Sequence, residues 1–134
     1  SFGRKIDLDA LQRFHILQRE NRERIARARQ IEKSAPESAI TAYCEALHCI
    51  AAYAKLKTEE GLVGALLEEE RAEFGYSGEI VVLDRLTLCL VRLGRGSEAK
   101  AVAEQYFKEY CCDEQLSAAE TIKKRVQKAV ANSA

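Results

Sequence analysis

Cys44 and His48 stand four residues apart, a spacing that places both side chains on one face of a helix. A thiolate and an imidazole in that arrangement could provide half of a zinc site, with Cys111 and Cys112 as further donors. The same pair could act as a nucleophile and its base. The sequence has no C-x-x-C, and no segment is typical of an oxyanion loop. We therefore interpret Cys44 and His48 as core residues, and predict no metal and no catalytic group.

The segment from Gly94 to Ala99 spells G-x-G-x-x-A, a motif that holds the pyrophosphate of a dinucleotide when it follows a buried strand. The preceding apolar run, 80–93, contains Asp84 and Arg85, which a helix tolerates and a buried parallel strand does not. No other segment predicts a strand that could pair with it. We interpret the glycines as a turn between two helices and predict no nucleotide cofactor.

Acidic residues are crowded at Glu68, Glu69, Glu70 and Glu73. Paired carboxylates can perform general acid–base catalysis. Consecutive residues point in different directions around a helix, however, and no histidine lies in this cluster. We interpret the cluster as a solvated helix face, so the sequence predicts no enzyme and no cofactor.

The composition predicts one domain with a core of its own, because 47% of the 134 residues are apolar. The longest stretch without a charged side chain is the nine residues 46–54, which predicts no membrane span. Five cysteines without a framework spacing favour a reducing, cytoplasmic location. The absence of methionine, even at residue 1, leads us to expect a domain of a larger protein.

Charge is unevenly spread although the 21 basic and 21 acidic residues cancel. Residues 1–36 hold nine basic and five acidic side chains, whereas residues 59–84 hold one and eight. Such a separation can steer a charged partner or be satisfied by ion pairs within the chain. The sequence leaves both interpretations open.

An apolar period of 3.6 residues recurs along the chain and predicts an all-α fold. Pro36 marks a helix start, since its fixed φ and missing N–H suit a first turn, and Ser117 with Glu120 forms a capping box. We expect 80–93 to be the most buried helix, and a turn at 75–78 before it. The spacing predicts seven helical segments, of which the second either continues the first or bends from it: 7–17, 19–33, 36–57, 62–74, 80–93, 97–110 and 117 onward.

Small and large side chains follow a repeated order in the two halves of the chain. The first half has this order at Ala39, Tyr43 and Ala46, and the second half has it at more positions: Leu83, Leu86, Leu90, Gly94, Ala99, Ala103 and Tyr106. On these residues the chain resembles tetratricopeptide-repeat proteins over about residues 19–131. The resemblance implies stacked antiparallel helical hairpins in an irregular right-handed superhelix, ending in a capping helix.

The expected organisation is a single domain over 1–134. It departs from the family pattern because Ala39 and Ala99 are 60 residues apart, whereas the family period is about 34 residues. Neither unit has the family's proline, since Ala51 and Cys111 stand in its place. We expect, in order, an N-terminal helix, a first repeat-like unit, an intervening helix with a turn, a second repeat-like unit and a capping helix: 1–18, 19–57, 58–78, 79–112 and 113–134.

Stacked hairpins predict a non-catalytic scaffold module that holds a peptide or helix of a partner protein. Arginines in its groove would form forked hydrogen bonds to carboxylates, so we expect an acidic or C-terminal partner segment. The groove residues that the resemblance implies are Arg22, Arg29 and Lys33 in the first unit, and Asp84, Leu88 and Arg92 in the second.

Two alternatives remain open from the sequence. A nucleic-acid accessory domain would use the run of arginines from Arg13 to Arg29, together with the basic last helix, against phosphates. Interspersed Glu20, Glu23 and Glu32 weaken that field, and no aromatic residues alternate with the arginines. The other alternative is a helical segment that oligomerises or links the domains of a larger protein.

Overall fold

A computed structural model describes residues 8–59, 76–109 and 117–133, and every regular element within those ranges is an α-helix. The predicted all-α class is confirmed for this part of the chain. No helix in the same ranges is both long and apolar enough to cross a membrane. The helices are α1 (Leu8–Ile31), α2 (Pro36–Glu59), α3 (Tyr76–Arg92), α4 (Gly96–Glu109) and α5 (Ser117–Ser133).

The first two predicted segments form the single helix α1, so the open choice between a bend and a continuous helix is settled. The apolar pattern is interrupted because Gln18 and Asn21 occupy core positions, where they are 8% and 1% exposed. Asn21 is accommodated there because its Nδ2 donates a hydrogen bond to the carbonyl oxygen of Ala46 on α2, at 3.2 Å. Buried Phe14 and Ala28 lie on the same side of α1, before and after these polar residues.

Helix α3 begins at Tyr76, so the predicted turn at 75–78 is wrong for its last three residues. Gly78 does not stop the helix, because one glycine costs only about 1 kcal/mol there and the following turns pack in the core. The prediction that this helix is the most buried is supported by its contacts with α2, α4 and α5. The predicted helix 62–74 lies outside the described residues.

The turn at Gly94 is confirmed, and it excludes the dinucleotide motif because a helix precedes it. Gly94 has φ +75°, a left-handed conformation that favours glycine. Its N–H donates to the carbonyl of Val91 at 3.0 Å, and the N–H of Arg95 donates to that of Leu90 at 2.9 Å. These two bonds form a Schellman motif, which ends α3 and reverses the chain into α4.

Each helix packs against the next one along the chain, from α1 to α5, and α5 also packs against α3. The four alanines that the sequence places in the helix seams, Ala39, Ala46, Ala99 and Ala103, are all at most 2% exposed. Small residues at these points allow close approach of neighbouring helices. Larger side chains complete the core around them: Phe14, Tyr43, Leu83, Leu86, Leu90 and Ile122.

Candidate partner-binding surface

A buried carboxylate joins the first two helices to the third. Glu32, in the turn after α1, is 6% exposed. It accepts a hydrogen bond from Nε of Arg85 on α3 at 2.8 Å, a second from Nη2 of the same guanidinium, and a third from the Tyr43 hydroxyl on α2. The hydrogen bonds from Arg85 hold the pKa of Glu32 below its ordinary value. The Glu32 charge is therefore satisfied inside the fold.

A second arginine links the two interhelical turns. Arg95 Nη1 donates to Oε2 of Glu37, in the first turn of α2, at 2.8 Å. Its Nε donates to Glu98 at 3.0 Å. The Glu37 side chain is 73% exposed, so the ion pair with Arg95 contributes little to stability. This ion pair instead positions the start of α2 beside the turn between α3 and α4.

One side of α1 is occupied by α2. Arg24 Nε lies 3.5 Å from Glu45 Oε2 on α2, and Arg24 Nη1 donates to Asn21 Oδ1 at 2.8 Å. Asn21 in turn donates to the Ala46 carbonyl. The direction of Arg24 therefore marks the side of α1 that faces α2.

A line of basic side chains follows a side of α1 that is turned away from Arg24, and we call it the basic stripe. Each successive residue lies four or three positions after the last, so the members stay aligned along the helix. Those within α1 lie about 140° to 180° of rotation away from Arg24. Five members of the stripe are exposed, and the sixth, His15, is half-buried. The stripe consists of His15, Arg19, Arg22, Ala26, Arg29 and Lys33.

No acidic residue belongs to the basic stripe. Exposed Glu20 lies at least about 100° of rotation from each stripe member within α1, whereas exposed Glu23 flanks the stripe, about 40° from Arg19. The predicted residues Arg22 and Arg29 thus fall on one line of α1, and exposed Lys33 follows in the turn after the helix. The prediction omitted His15 and Arg19, although the alternating spacing of four and three residues was present in the sequence as a signal.

The predicted residues on α3 do not all share one environment. Asp84 accepts a hydrogen bond from Arg125 on α5, with Nη1 at 2.8 Å from its Oδ1 and 2.9 Å from its carbonyl oxygen. The same Nη1 lies 3.0 Å from the hydroxyl of buried Thr87. Asp84 therefore holds α5 against α3, and Arg125 neutralises its charge.

Leu88 and Arg92 lie on a different strip of α3, together with Val81. Val81 is 44% exposed, Leu88 is half-buried and Arg92 is exposed. Helical rotation puts these three residues between Asp84, which contacts α5, and Arg85, which contacts Glu32. We call Val81, Leu88 and Arg92 the α3 strip.

Helix α3 contacts the turn in which the basic stripe ends, because Arg85 bonds to Glu32, the residue before Lys33. The pKa of Glu32 is lowered first by its hydrogen bonds to Arg85, and also by the positive charge of Arg92. Arg92 thus lies within electrostatic reach of the turn that carries Lys33. The exposed side chains are basic in the stripe on α1 and partly apolar in the strip on α3.

The core interpretation of Cys44 and His48 is wrong, because both side chains are exposed. The buried face of α2 passes through Tyr43, Ala46 and Ile50, and neither residue shares it. Within the described ranges, no three His, Cys, Asp or Glu side chains are grouped to hold a metal ion. Cys111, Cys112 and the acidic cluster 68–73 lie outside those ranges.

The basic stripe can form ion pairs with anionic groups, and the α3 strip can provide apolar contact. No protein-family model matches the sequence, and no curated protein or solved structure matches it at a significant level.

Proposed function

We propose that this chain is a non-catalytic interaction module that binds an acidic peptide or helix of a partner protein along α1 and α3. The observation that carries the proposal is the basic stripe, which contains four exposed cations and no carboxylate: Arg19, Arg22, Arg29 and Lys33. Arginine binds carboxylates through paired hydrogen bonds, so this row suits an acidic protein segment.

The distribution of internal ion pairs supports the same function. Two carboxylates near this surface, Glu32 and Asp84, are bonded to Arg85 and Arg125 within the fold. They consequently subtract little from the positive field that a partner would meet. The basic stripe provides the net attraction.

A tetratricopeptide-like stack of two hairpins is part of this proposal. Its support is the packing order of the helices and the buried alanines at matching positions, Ala39 and Ala99. The capping role of α5 is supported by its two faces. Ala119, Ile122 and Val126 are buried, whereas exposed positions are mostly polar, among them Glu120, Lys124, Gln127 and Lys128.

The test uses two charge reversals on one helix. Arg29→Glu changes the basic stripe, while Arg27→Glu makes the same change in net charge on another side of α1. A fluorescent 20-residue peptide rich in glutamate is the probe, measured by anisotropy at physiological salt. Screening within about 8 Å keeps the two sites electrically distinct. We expect Arg29→Glu to weaken binding about tenfold, since it removes an ion pair and adds a repulsion.

Three outcomes would contradict the proposal. Equal affinity of the two variants would show that the stripe is not the binding surface. Tighter binding to a duplex DNA of equal charge, with a steep dependence on salt, would instead establish the nucleic-acid function. Self-association in light scattering with no peptide binding would identify an oligomerisation segment.

A further inference from the structure

We propose that the partner segment is an amphipathic acidic α-helix, laid along the basic stripe with its apolar side against the α3 strip. This inference rests on the proposed function, and it specifies which acidic segment the surface accepts. Three features of the described residues support it: the spacing of the cations, the small residue among them, and the apolar side chains beside them.

The spacing of the basic stripe is that of a helix. The members within α1, from His15 to Arg29, lie 3.5 residues apart on average, which is about 5.3 Å along the axis, and this row is about 21 Å long. A partner helix repeats its own side chains at the same interval, so its carboxylates meet the cations in register along the whole row. Side chains on one face of an extended peptide repeat at about 6.7 Å, and they fall about 1.4 Å further out of register at each step.

Ala26 interrupts the cations near the middle of the row. It is exposed, and its methyl group leaves space between Arg22 and Arg29. A small residue at the centre of a helix face lets a second helix approach to about 8–10 Å between axes. The arginine stems then cover the apolar surface of the partner while their guanidinium groups reach its carboxylates.

The α3 strip requires apolar side chains on the face of the partner helix that contacts it. Val81 and Leu88 are seven residues apart and therefore lie on one line of α3. Val81 is 44% exposed, more than the other exposed large hydrophobic side chains of the described residues, Ile16 and Leu93. Arg92 continues the line four residues after Leu88 and is exposed, and Arg85 of the same helix bonds to Glu32 in the turn that carries Lys33. A helix with acidic residues on one edge and leucines on the adjacent edge matches both surfaces.

The experiment compares three peptides of identical composition. The first places six glutamates at intervals of four and three residues, with leucines on the adjacent face. The second permutes the same residues so that the glutamates surround the helix evenly. The third keeps the first order but contains two adjacent D-residues, which prevent helix formation. Anisotropy gives the affinities, and circular dichroism reports helix formation on binding.

We expect the first peptide to bind the chain about tenfold more tightly than either of the others and to gain helicity when bound. Val81→Ser should reduce that advantage about threefold, because it removes exposed apolar contact without disturbing the core. Equal affinity for the first peptide and either control overturns the helical mode and leaves an acidic-partner function standing. Failure of all three peptides to bind refutes the proposed function itself.

Discussion

Arg85 on α3 donates two hydrogen bonds to the carboxylate of Glu32, which stands 53 residues earlier in the turn after α1. The pair is bidentate, the strongest form of arginine–carboxylate contact. Because Glu32 is buried, it also accepts the hydroxyl of fully buried Tyr43, and the three side chains satisfy one another. The contact joins the turn between α1 and α2 directly to α3.

Removal of the Glu32 carboxylate should destabilise the fold strongly. Glu32→Ala leaves the Tyr43 hydroxyl without its acceptor and the Arg85 guanidinium without its counter-charge. We expect a loss of about 2 to 4 kcal/mol in the free energy of unfolding, measured with urea. Glu37→Ala is the control, because it also removes a glutamate bonded to an arginine but at a 73% exposed position. It should cost less than about 1 kcal/mol, and equal losses for the two variants would contradict the buried role of Glu32.

The Glu32 contact should also weaken in acid. Hydrogen bonds from Arg85 lower the pKa of Glu32 in the folded chain, so the unfolded chain takes up this proton first as the pH falls. The stability that the carboxylate provides is complete above its ordinary pKa of 4.5 and declines below it. We expect the difference in unfolding free energy between the natural chain and Glu32→Gln to be constant from pH 8 to pH 6. Below pH 4.5 it should shrink by at most about 1.4 kcal/mol per pH unit; a constant difference down to pH 3 would argue against the shift.

Ionisation of Tyr43 should lower the stability of the fold at high pH, whereas protonation of Glu32 lowers it at low pH. Burial, and then the neighbouring Glu32 carboxylate, raise the pKa of Tyr43 well above its ordinary value of 10.0. The unfolded chain therefore releases the Tyr43 proton first, and stability is lost as the pH rises above 10. Between pH 9 and pH 11 the natural chain should lose roughly 1.4 kcal/mol more than Tyr43→Phe does. Parallel losses in urea titrations of the two proteins would show that Tyr43 ionises freely in the fold.

The two glycines around Arg95 should respond differently to the same replacements. Gly94 has a left-handed φ of +75° and open space around it, whereas a Cβ on Gly96 would lie 3.0 Å from the Cβ of Ala129 on α5. Alanine should destabilise both positions, by about 1 to 2 kcal/mol at Gly94 through backbone strain and about 1 to 3 kcal/mol at Gly96 through overpacking. Asparagine tolerates the left-handed region, so Gly94→Asn should recover most of that loss.

The larger asparagine side chain should make Gly96→Asn worse than Gly96→Ala. Urea unfolding of the four variants measures this crossed pattern. If asparagine were the milder change at Gly96 as well, the close approach of α4 to α5 would not be the cause.

The local features of the fold were predictable because each depends on residues a few positions apart. Pro36 starts α2 as predicted, and the reversal at Gly94 follows from one residue that accepts a positive φ. The continuity of α1 was not evident, since buried Gln18 and Asn21 break its apolar pattern. The hydrogen bond from Asn21 to Ala46 that compensates for this burial joins residues on two helices, and no local pattern reports it.

The same distinction explains what could be predicted of the candidate surface. The alternating spacing of the basic stripe is evident from the sequence. The side of α1 that faces α2 is not, because the contacts of Arg24 and Asn21 with α2 define it. Asp84 was predicted as a groove residue because the resemblance to tetratricopeptide-repeat proteins implies a groove position there. Its bond to Arg125 joins residues 41 positions apart, and sequence spacing carries no information about such a pair.

Asp84 and Arg29 should therefore separate stability from binding. Asp84→Ala removes the acceptor of Arg125 and weakens the attachment of α5 to α3, so we expect a loss of about 1 to 2 kcal/mol in unfolding free energy. Its effect on affinity for the acidic peptide should be less than about twofold, because Arg125 remains bonded to the Asp84 carbonyl and to Thr87. Arg29→Ala should behave in the reverse way, with near-normal stability and about fivefold weaker binding. Urea unfolding and peptide anisotropy on the same two variants measure both quantities. A marked gain in affinity for Asp84→Ala would mean that this carboxylate repels the ligand, and that the partner crosses α3 closer to α5 than the basic stripe and the α3 strip imply.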